Sequence, residues 1–185
     1  MSNLFLKLKK VICLFVYYSI AYYLPSSYSP ILGTLSRKIR YQLCKRIFAK
    51  CGTNVNVERM VNFGSGRNIQ IGDNSGMGAR CQCPSNIVIG NDVMMGPNVY
   101  IFACNHNYNR TDIPMNQQGF STPKPVVIGD DVWIGAFVKI LPGRHIARGT
   151  ILAAGCVLVK DFPQYSIVGG NPSKLIKSRI LDDTI

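Results

Sequence analysis

The first fifty positions of this sequence contain no acidic residue, and the whole chain of 185 residues has only nine. Nine of the twelve net positive charges therefore lie in that segment, on Lys7, Lys9, Lys10, Arg37, Lys38, Arg40, Lys45, Arg46 and Lys50. No aromatic–basic motif typical of nucleic-acid recognition accompanies these charges. We therefore expect no nucleic-acid partner, and the positive charge of the N-terminal segment must serve another purpose.

The sequence also lacks an apolar run long enough to span a bilayer comfortably. Its longest, VICLFVYYSIAYYL at residues 11–24, falls short of the roughly 20 residues a spanning helix needs. KLKK precedes it, as in a signal peptide, but no small-x-small cleavage site follows. Two interpretations remain open: a helix packed against the rest of the protein, or one lying on the inner membrane surface.

Histidine and tryptophan are scarce, with two and one copies, and the seven cysteines are an odd number. Only His106 and His145 can supply an imidazole. Cys81 and Cys83 are two positions apart and have no matching pair elsewhere, so neither a zinc site nor any other metal site is expected. The cysteines are instead typical of small core residues in a reducing compartment.

A six-residue apolar repeat occupies the middle of the chain. It falls on Ile71, Met77, Cys83, Ile89, Met95 and Ile101, and again on Ile128, Ile134, Ile140, Ile146, Leu152 and Leu158. This period fits neither a helix nor a simple strand alternation. It predicts an all-β solenoid of short parallel strands, in which each coil stacks its apolar residues on the preceding coil.

The repeat is interrupted by 27 residues between Ile101 and Ile128, which is not a multiple of six. The polar, proline-containing stretch at 102–125 is predicted to leave the coil as an excursion loop. Before the repeat, Leu35, Ile39, Leu43 and Ile47 predict one face of a helix.

Several stretches resemble the hexapeptide-repeat acyltransferases: the hexads IGDNSG, IGNDVM and IGDDVW, the loop NHNYNRTDIPMNQQG, and the closing LAAGCVLVKDFPQYSIVGGNPSKLIK. The branch that they resemble contains maltose, serine and xenobiotic O-acetyltransferases, and within it the O-acetyltransferases of capsule or lipopolysaccharide synthesis. The resemblance implies a left-handed parallel β-helix. We therefore expect a basic helical segment at 1–52 and a β-helix domain at 53–185, closed by a short C-terminal helix after Pro172.

The same resemblance assigns roles to residues. His106 corresponds to the family's general base, which takes the proton of an acceptor hydroxyl as that oxygen attacks a thioester. Ala136 and Ala154 correspond to positions along the pantetheine arm of acetyl-CoA. The remaining candidates are Lys160, Lys174 and Lys177 for the nucleotide phosphates, and Asn105, Tyr108, Asp112 and Trp133 for the acceptor. His145 matches no catalytic position and is expected on the surface of a coil.

One departure from the family concerns Gly78, which stands where sugar acetyltransferases carry an asparagine facing the base. The resemblance still predicts an acetyl-CoA-dependent O-acetyltransferase acting on a hydroxyl of a sugar or surface polysaccharide precursor. It also implies a homotrimer with active sites between subunits. The need for a cytosolic cofactor and the basic, apolar N-terminal segment lead us to expect a cytoplasmic protein, or one peripheral on the inner membrane face. Two alternatives stay open: O-acetylation of a small molecule such as serine or an antibiotic, and a non-catalytic solenoid scaffold.

Overall fold

The computed structural model describes residues 2–180, with side chains from Phe5 onward; the last residues of the expected second domain, 181–185, lie outside it. Helix α1 (Ser2–Val16) runs into a π-helical turn (Tyr17–Ala21), and α2 (Gly33–Ile47) follows after a linker. The strands within the described range are β1 Lys50–Cys51, β2 Asn56–Val57, β3 Gln70–Ile71, β4 Gly76–Met77, β5 Val88–Ile89, β6 Met94–Met95, β7 Tyr100–Ile101, β8 Val127–Ile128, β9 Trp133–Ile134, β10 Lys139–Ile140, β11 His145–Ile146, β12 Ile151–Leu152, β13 Val157–Leu158, β14 Ser166–Gly169 and β15 Lys174–Ser178.

The strands stack in parallel into three faces, which confirms the predicted solenoid. The first face contains β1, β3, β5, β8 and β11; the second contains β6, β9, β12 and β14, with β2 and β4 below them; the third contains β7, β10 and β13. Register is kept from coil to coil: Ile71 pairs with Ile89, which pairs with Ile128. Each apolar residue of the repeat therefore lies on its counterpart one coil away.

The corners between faces explain why a coil can turn so sharply. Asn54, Asn74, Asp92 and Asp131 all have positive φ and stack at the corner between the first and second faces. Asparagine and aspartate tolerate this left-handed conformation better than other residues with a side chain. Corner residues therefore let the inward aliphatic positions repeat without interruption.

The excursion leaves the third face after β7 and returns to the first face at β8. Val127 follows its stacking partner Val88 by 39 residues, whereas β3 and β5 are separated by 18. The extra 21 residues leave the coil between β7 and β8, as predicted from the interrupted repeat. We call residues 102–125 the arm.

Two expectations are wrong. Between Pro172 and Ile180, the last described residue, the chain forms no helix: β15 pairs antiparallel with β14 and covers the last parallel edge of the solenoid. Pairing satisfies the backbone groups of that edge, which a helix of so few residues would not do. The packed face of α2 is wrong at one position: Ile47 is buried and Ile39 and Leu43 pack against the core as predicted, but Leu35 is exposed, and the helix also buries Ser36, Arg40 and Cys44.

The N-terminal helices pack against the first coil. Tyr17 is fully buried and its hydroxyl donates to the backbone oxygen of Val61 at 2.9 Å. Arg40, also fully buried, donates from Nε to the oxygen of Val57 at 2.7 Å. Within residues 2–180, no helix has both the length and the apolar character required to cross a membrane.

Candidate active site

The arm is a small antiparallel hairpin whose two sides are joined by backbone hydrogen bonds. The amide of Asn107 donates to the oxygen of Gly119 at 3.0 Å, and that of Ser121 to the oxygen of Asn105 at 2.8 Å. At the tip, Gln118 accepts from the Arg110 amide at 3.1 Å and donates to the Ile113 oxygen at 3.1 Å. The arm is thus ordered by its own polar contacts, although most of its residues are exposed.

His106 lies on this hairpin, opposite Phe120. The two rings are 4.3 Å apart between centroids and inclined by 34°. The contact holds one side of the imidazole against an aromatic ring, while His106 as a whole stays exposed. A neutral imidazole held in this way can accept a proton from a bound hydroxyl.

A polar cleft of about 380 Å³ surrounds His106. Asn105, Tyr108 and Asn109 line it from the arm, while Pro142 and Arg144 line it from the corner between the third and first faces. The structure therefore brings Asn105, His106 and Tyr108 together. Arg144 donates to the Val159 oxygen at 3.0 Å, which fixes the guanidinium at the edge of this cleft.

The other candidates for acceptor contacts lie elsewhere. Asp112 forms an exposed ion pair with Arg110 at the tip of the arm, and Arg110 holds the pKa of that carboxyl below its usual value. Trp133 lies on β9 of the second face with half of its surface exposed, beside Met94 and Ile151 in register. His145 lies on the surface of β11, as expected for a coil position.

Small residues line the corner between the second and third faces, where the resemblance places acetyl-CoA. Ala154 and Gly155 are exposed, and a Cβ built on Gly155 would meet no atom within 4 Å. The Gly155 amide donates to the Ala136 oxygen at 2.8 Å, so these two alanine positions are stacked on consecutive coils. An elongated ligand can approach the backbone closely along such a corner.

The three candidate lysines are exposed but do not form one cluster with these alanines. Lys174 begins β15 opposite Gly169, whose added Cβ would lie 3.3 Å from Ala153 at the small-residue corner. Lys177 is farther along β15, opposite Ile167. Lys160 follows β13 beyond the third face, with Nζ 5.4 Å from the centroid of the Phe162 ring. Within one chain, only Lys174 lies at the corner that carries Ala136 and Ala154.

Gly78 has a structural explanation. A Cβ at this position would lie 1.9 Å from the backbone oxygen of Gly96 in the next coil. No side chain fits there without moving the coil, so the asparagine of the sugar acetyltransferases is sterically excluded.

A second cleft, of about 570 Å³ and with both polar and apolar walls, has no counterpart among the sequence predictions. Gly76, Gly78 and Gly96 line it from the second face, and Arg37, Asn56 and Asn74 are among the polar residues around it. The Oδ1 atom of Asn56 is buried and has no hydrogen-bond partner. Residues of α2 and of three separate coils contribute to this cleft, so no local motif in the sequence predicts it. The only hint in the sequence is that Gly76, Gly78 and Gly96 lack side chains that would fill the space.

Comparison with known proteins agrees with this geometry. Residues 125–160 match the bacterial transferase hexapeptide family (six repeats), and residues 68–103 match the hexapeptide repeat of succinyl-transferase. The two matched segments lie on either side of the arm. They correspond to the stacked coils and not to the N-terminal helices.

Individual relatives match a larger part of the chain than these family models do. Galactoside O-acetyltransferase of Escherichia coli is 33% identical over 140 residues, which cover 75% of this chain and 68% of that protein. The crystal structure of a maltose O-acetyltransferase from Clostridium difficile superimposes with a TM-score of 0.72 at 28% identity, covering 94% of this chain and 88% of the other. The crystal structure of a hexapeptide-repeat acetyltransferase of Vibrio cholerae in complex with acetyl coenzyme A superimposes with a TM-score of 0.71 at 25% identity. The match covers 94% of this chain and 86% of the other. The chain therefore belongs to the hexapeptide-repeat acetyltransferase family and is an acyltransferase.

Proposed function

We propose that this protein transfers the acetyl group of acetyl-CoA to a hydroxyl of a sugar or of a surface polysaccharide precursor, with His106 as the general base. The observation that carries the proposal is the position of His106, on an ordered arm and within a polar cleft. The relatives named for galactoside and maltose O-acetylation support a carbohydrate acceptor.

The chemistry needs few groups. The imidazole of His106 accepts the proton of the acceptor hydroxyl while that oxygen bonds to the thioester carbonyl carbon. The carbon–sulfur bond then breaks, the acetyl group stays on the acceptor oxygen, and the proton returns to the departing thiolate. Acetyl-CoA supplies the activated acyl group. The role of the protein is to position the hydroxyl and to move its proton.

The residues present fit acetyl-CoA as a substrate. The open corner at Ala136, Ala154 and Gly155 gives a pantetheine arm access to backbone groups. Lysines act as point charges toward phosphate, and Lys174 is near this corner, with Lys177 farther along the same strand. Lys160 lies on the other side of the third face, closer to the arm.

A homotrimer would unite these parts. In one chain the third face separates the cleft at His106 from the corner at Ala136, so a single subunit does not place base and thioester together. On the second face, the exposed side chains of Met94 and Trp133 form an apolar row with the partly exposed Ile151, and this row suits burial between subunits. We therefore propose active sites between subunits, each with His106 of one chain and the small-residue corner of its neighbour.

The polar wall of the second cleft favours a large, hydroxyl-rich acceptor. Its walls present amide, carboxylate and guanidinium groups, and its glycines leave backbone accessible. Arg37 donates to Asn54 Oδ1 at 2.7 Å, and Asn54 donates to Asn74 Oδ1 at 3.0 Å. A row of amides on consecutive coils matches the repeated hydroxyls of a saccharide better than it matches an isolated amino acid.

The test compares the two histidines. His106→Ala should lower the rate of thiol release from acetyl-CoA in the presence of acceptor by about 10²–10⁴-fold, the usual contribution of a general base. His145→Ala, on the exposed side of β11, is the matched control and should retain activity. Thermal melts would verify that both variants are folded. Equal losses in the two variants would contradict the assignment of His106, and thiol release without any acetylated saccharide in an acceptor screen would contradict the carbohydrate acceptor.

A further inference from the structure

The outward side of α1 is apolar, which is unusual for a helix on a protein surface. Phe5, Leu8, Ile12 and Phe15 follow each other at three- and four-residue spacing, so they share one face. Phe5 is 68% exposed and Phe15 is 72% exposed. The opposite side, with Cys13 and then Tyr17, is buried against the first coil. The helix thus has two apolar sides, and the protein covers only one.

The exposed side is held outward by specific contacts at the end of the helix. Tyr17 donates its hydroxyl to the oxygen of Val61, and Tyr18 donates to the oxygen of Gly64 at 3.0 Å. Rotating α1 to bury Phe15 would break both hydrogen bonds and expose Tyr17. The outward apolar side is therefore a fixed surface of the molecule.

Cations flank this surface. Lys7 and Lys9 lie on α1 on either side of it, Lys10 lies on the opposite side of the helix, and no acidic residue occurs before Glu58. Beside the helix, a groove of about 620 Å³ has the apolar walls Leu6, Val11 and Leu14 and is edged by Lys7, Lys10 and Arg67. An apolar groove with a cationic edge has the chemistry needed to hold an acyl chain together with a phosphate.

We propose that α1 docks this protein on an anionic phospholipid surface, with the helix lying in the plane of the interface. Phe5, Leu8, Ile12 and Phe15 would enter the boundary between headgroups and acyl chains, while the lysines meet lipid phosphates. This inference does not depend on the acetyl transfer. A helix too short to span a bilayer can still bind in this way.

Charge argues against two copies of α1 facing each other as the occupant. A two-fold contact would place the same patch on both subunits. Lys7 and Lys9 would then face the same lysines, with no carboxylate of the N-terminal segment to neutralise them. The proposed trimer buries the second face and leaves the outward side of α1 uncovered. Lipid phosphates provide the opposite charge that this surface lacks.

The experiment is vesicle co-sedimentation of the full-length protein with vesicles of phosphatidylglycerol and phosphatidylcholine, or of phosphatidylcholine alone. We expect binding to the anionic vesicles, and weakening as salt rises from about 0.1 to about 0.5 M, because screening shortens the reach of the charges. The double variant Ile12→Asn/Phe15→Asn should reduce partitioning by at least about tenfold. Lys7→Gln should reduce it by about fivefold.

Matched controls change an exposed residue of the same kind at other positions. Leu175→Asn on β15 and Lys139→Gln on β10 should leave vesicle binding unchanged, since both residues are exposed on later coils and α1 packs against the first coil. Thermal melts and light scattering would show that each variant keeps its fold and assembly. Absent binding, salt-independent binding to both vesicles, or unaltered binding by the α1 variants would overturn the proposal. Loss of oligomerisation in Ile12→Asn/Phe15→Asn would instead identify a subunit contact and overturn it equally.

Discussion

Glu58 joins the N-terminal helices to the first coil at the level of single atoms. Its carboxylate accepts hydrogen bonds from the Ser27 hydroxyl and amide and from Asn56 Nδ2, and it lies 3.8 Å from Nη2 of the buried Arg40. Burial raises the pKa of this carboxyl, but hydrogen bonds from Ser27, Arg59 and Asn56 outweigh burial. The pKa of Glu58 therefore lies below its usual value.

This shift predicts how stability depends on pH. A carboxyl with a depressed folded-state pKa stabilises the protein above its unfolded-state pKa of about 4.3, and loses that contribution as pH falls through the folded-state value. Glu58→Gln should lower the free energy of unfolding at pH 7 by about 3 kcal/mol, because Arg40 remains buried without its carboxylate. Denaturant titrations across pH should show the difference from the unsubstituted protein narrowing below about pH 4.3.

Asp73 is a suitable control for that experiment. The Thr53 amide and hydroxyl hold the pKa of its carboxyl below the usual value, but Asp73 is exposed and faces no buried cation. Asp73→Asn should therefore have a much smaller effect at pH 7. If Glu58→Gln behaved like Asp73→Asn, the buried contact with Arg40 would not be what stabilises the N-terminal helices.

At the scale of the element, α2 shows where sequence patterns stop being informative. Its position and the burial of Ile47 could be predicted from apolar spacing, but the burial of Arg40 could not, because the hydrogen-bond partners of Arg40 come from the linker and the first coil. β15 is similar: the stretch after Pro172 forms a strand because β14 offers it an edge. In both cases a distant segment decides the outcome, and a pattern within one element cannot show that segment.

The arm allows a test of whether its order matters to the site it carries. Gln118→Ala removes the side chain that accepts from the Arg110 amide and donates to the Arg110 and Ile113 oxygens. We expect the free energy of local opening of the arm to fall by about 1–2 kcal/mol. This would be measured as roughly tenfold faster hydrogen exchange at the Arg110 amide. Turnover should fall as His106 becomes less well positioned, while the melting temperature should hardly change.

Met115→Ala is the control for the arm, since Met115 is exposed at the same tip and its contact with Gln118 is made by the backbone. Its exchange rates and turnover should match those of the unsubstituted protein. A Gln118→Ala variant with faster exchange but undiminished turnover would show that His106 is positioned by its own strand pairing and by Phe120 alone.

At the scale of the whole molecule, the sequence predicts the core well and the clefts poorly. Ile71, Ile89, Ile128 and Ile146 could be assigned to one stack because the solenoid repeats the same burial in every coil. His106 could be assigned to the arm because the repeat is interrupted there. The second cleft could not be predicted, since Arg37 and Asn74 come together only when α2 docks on the coils.

A single charge in that core should therefore have a global effect. Ile140 is fully buried on β10, between Ile101 on one coil and Leu158 on the next. In Ile140→Asp an unpaired carboxyl replaces an aliphatic contact on both sides, which we expect to cost about 5 kcal/mol. For a chain of this size the melting temperature should fall by roughly 10–20 °C.

Lys139→Asp is the matched control: it places the same side chain one position away on the outward side of β10 and should melt close to the unsubstituted protein. Similar melting temperatures for the two variants would mean that the stack at Ile140 does not hold the coils together, because burial is the main difference between the positions.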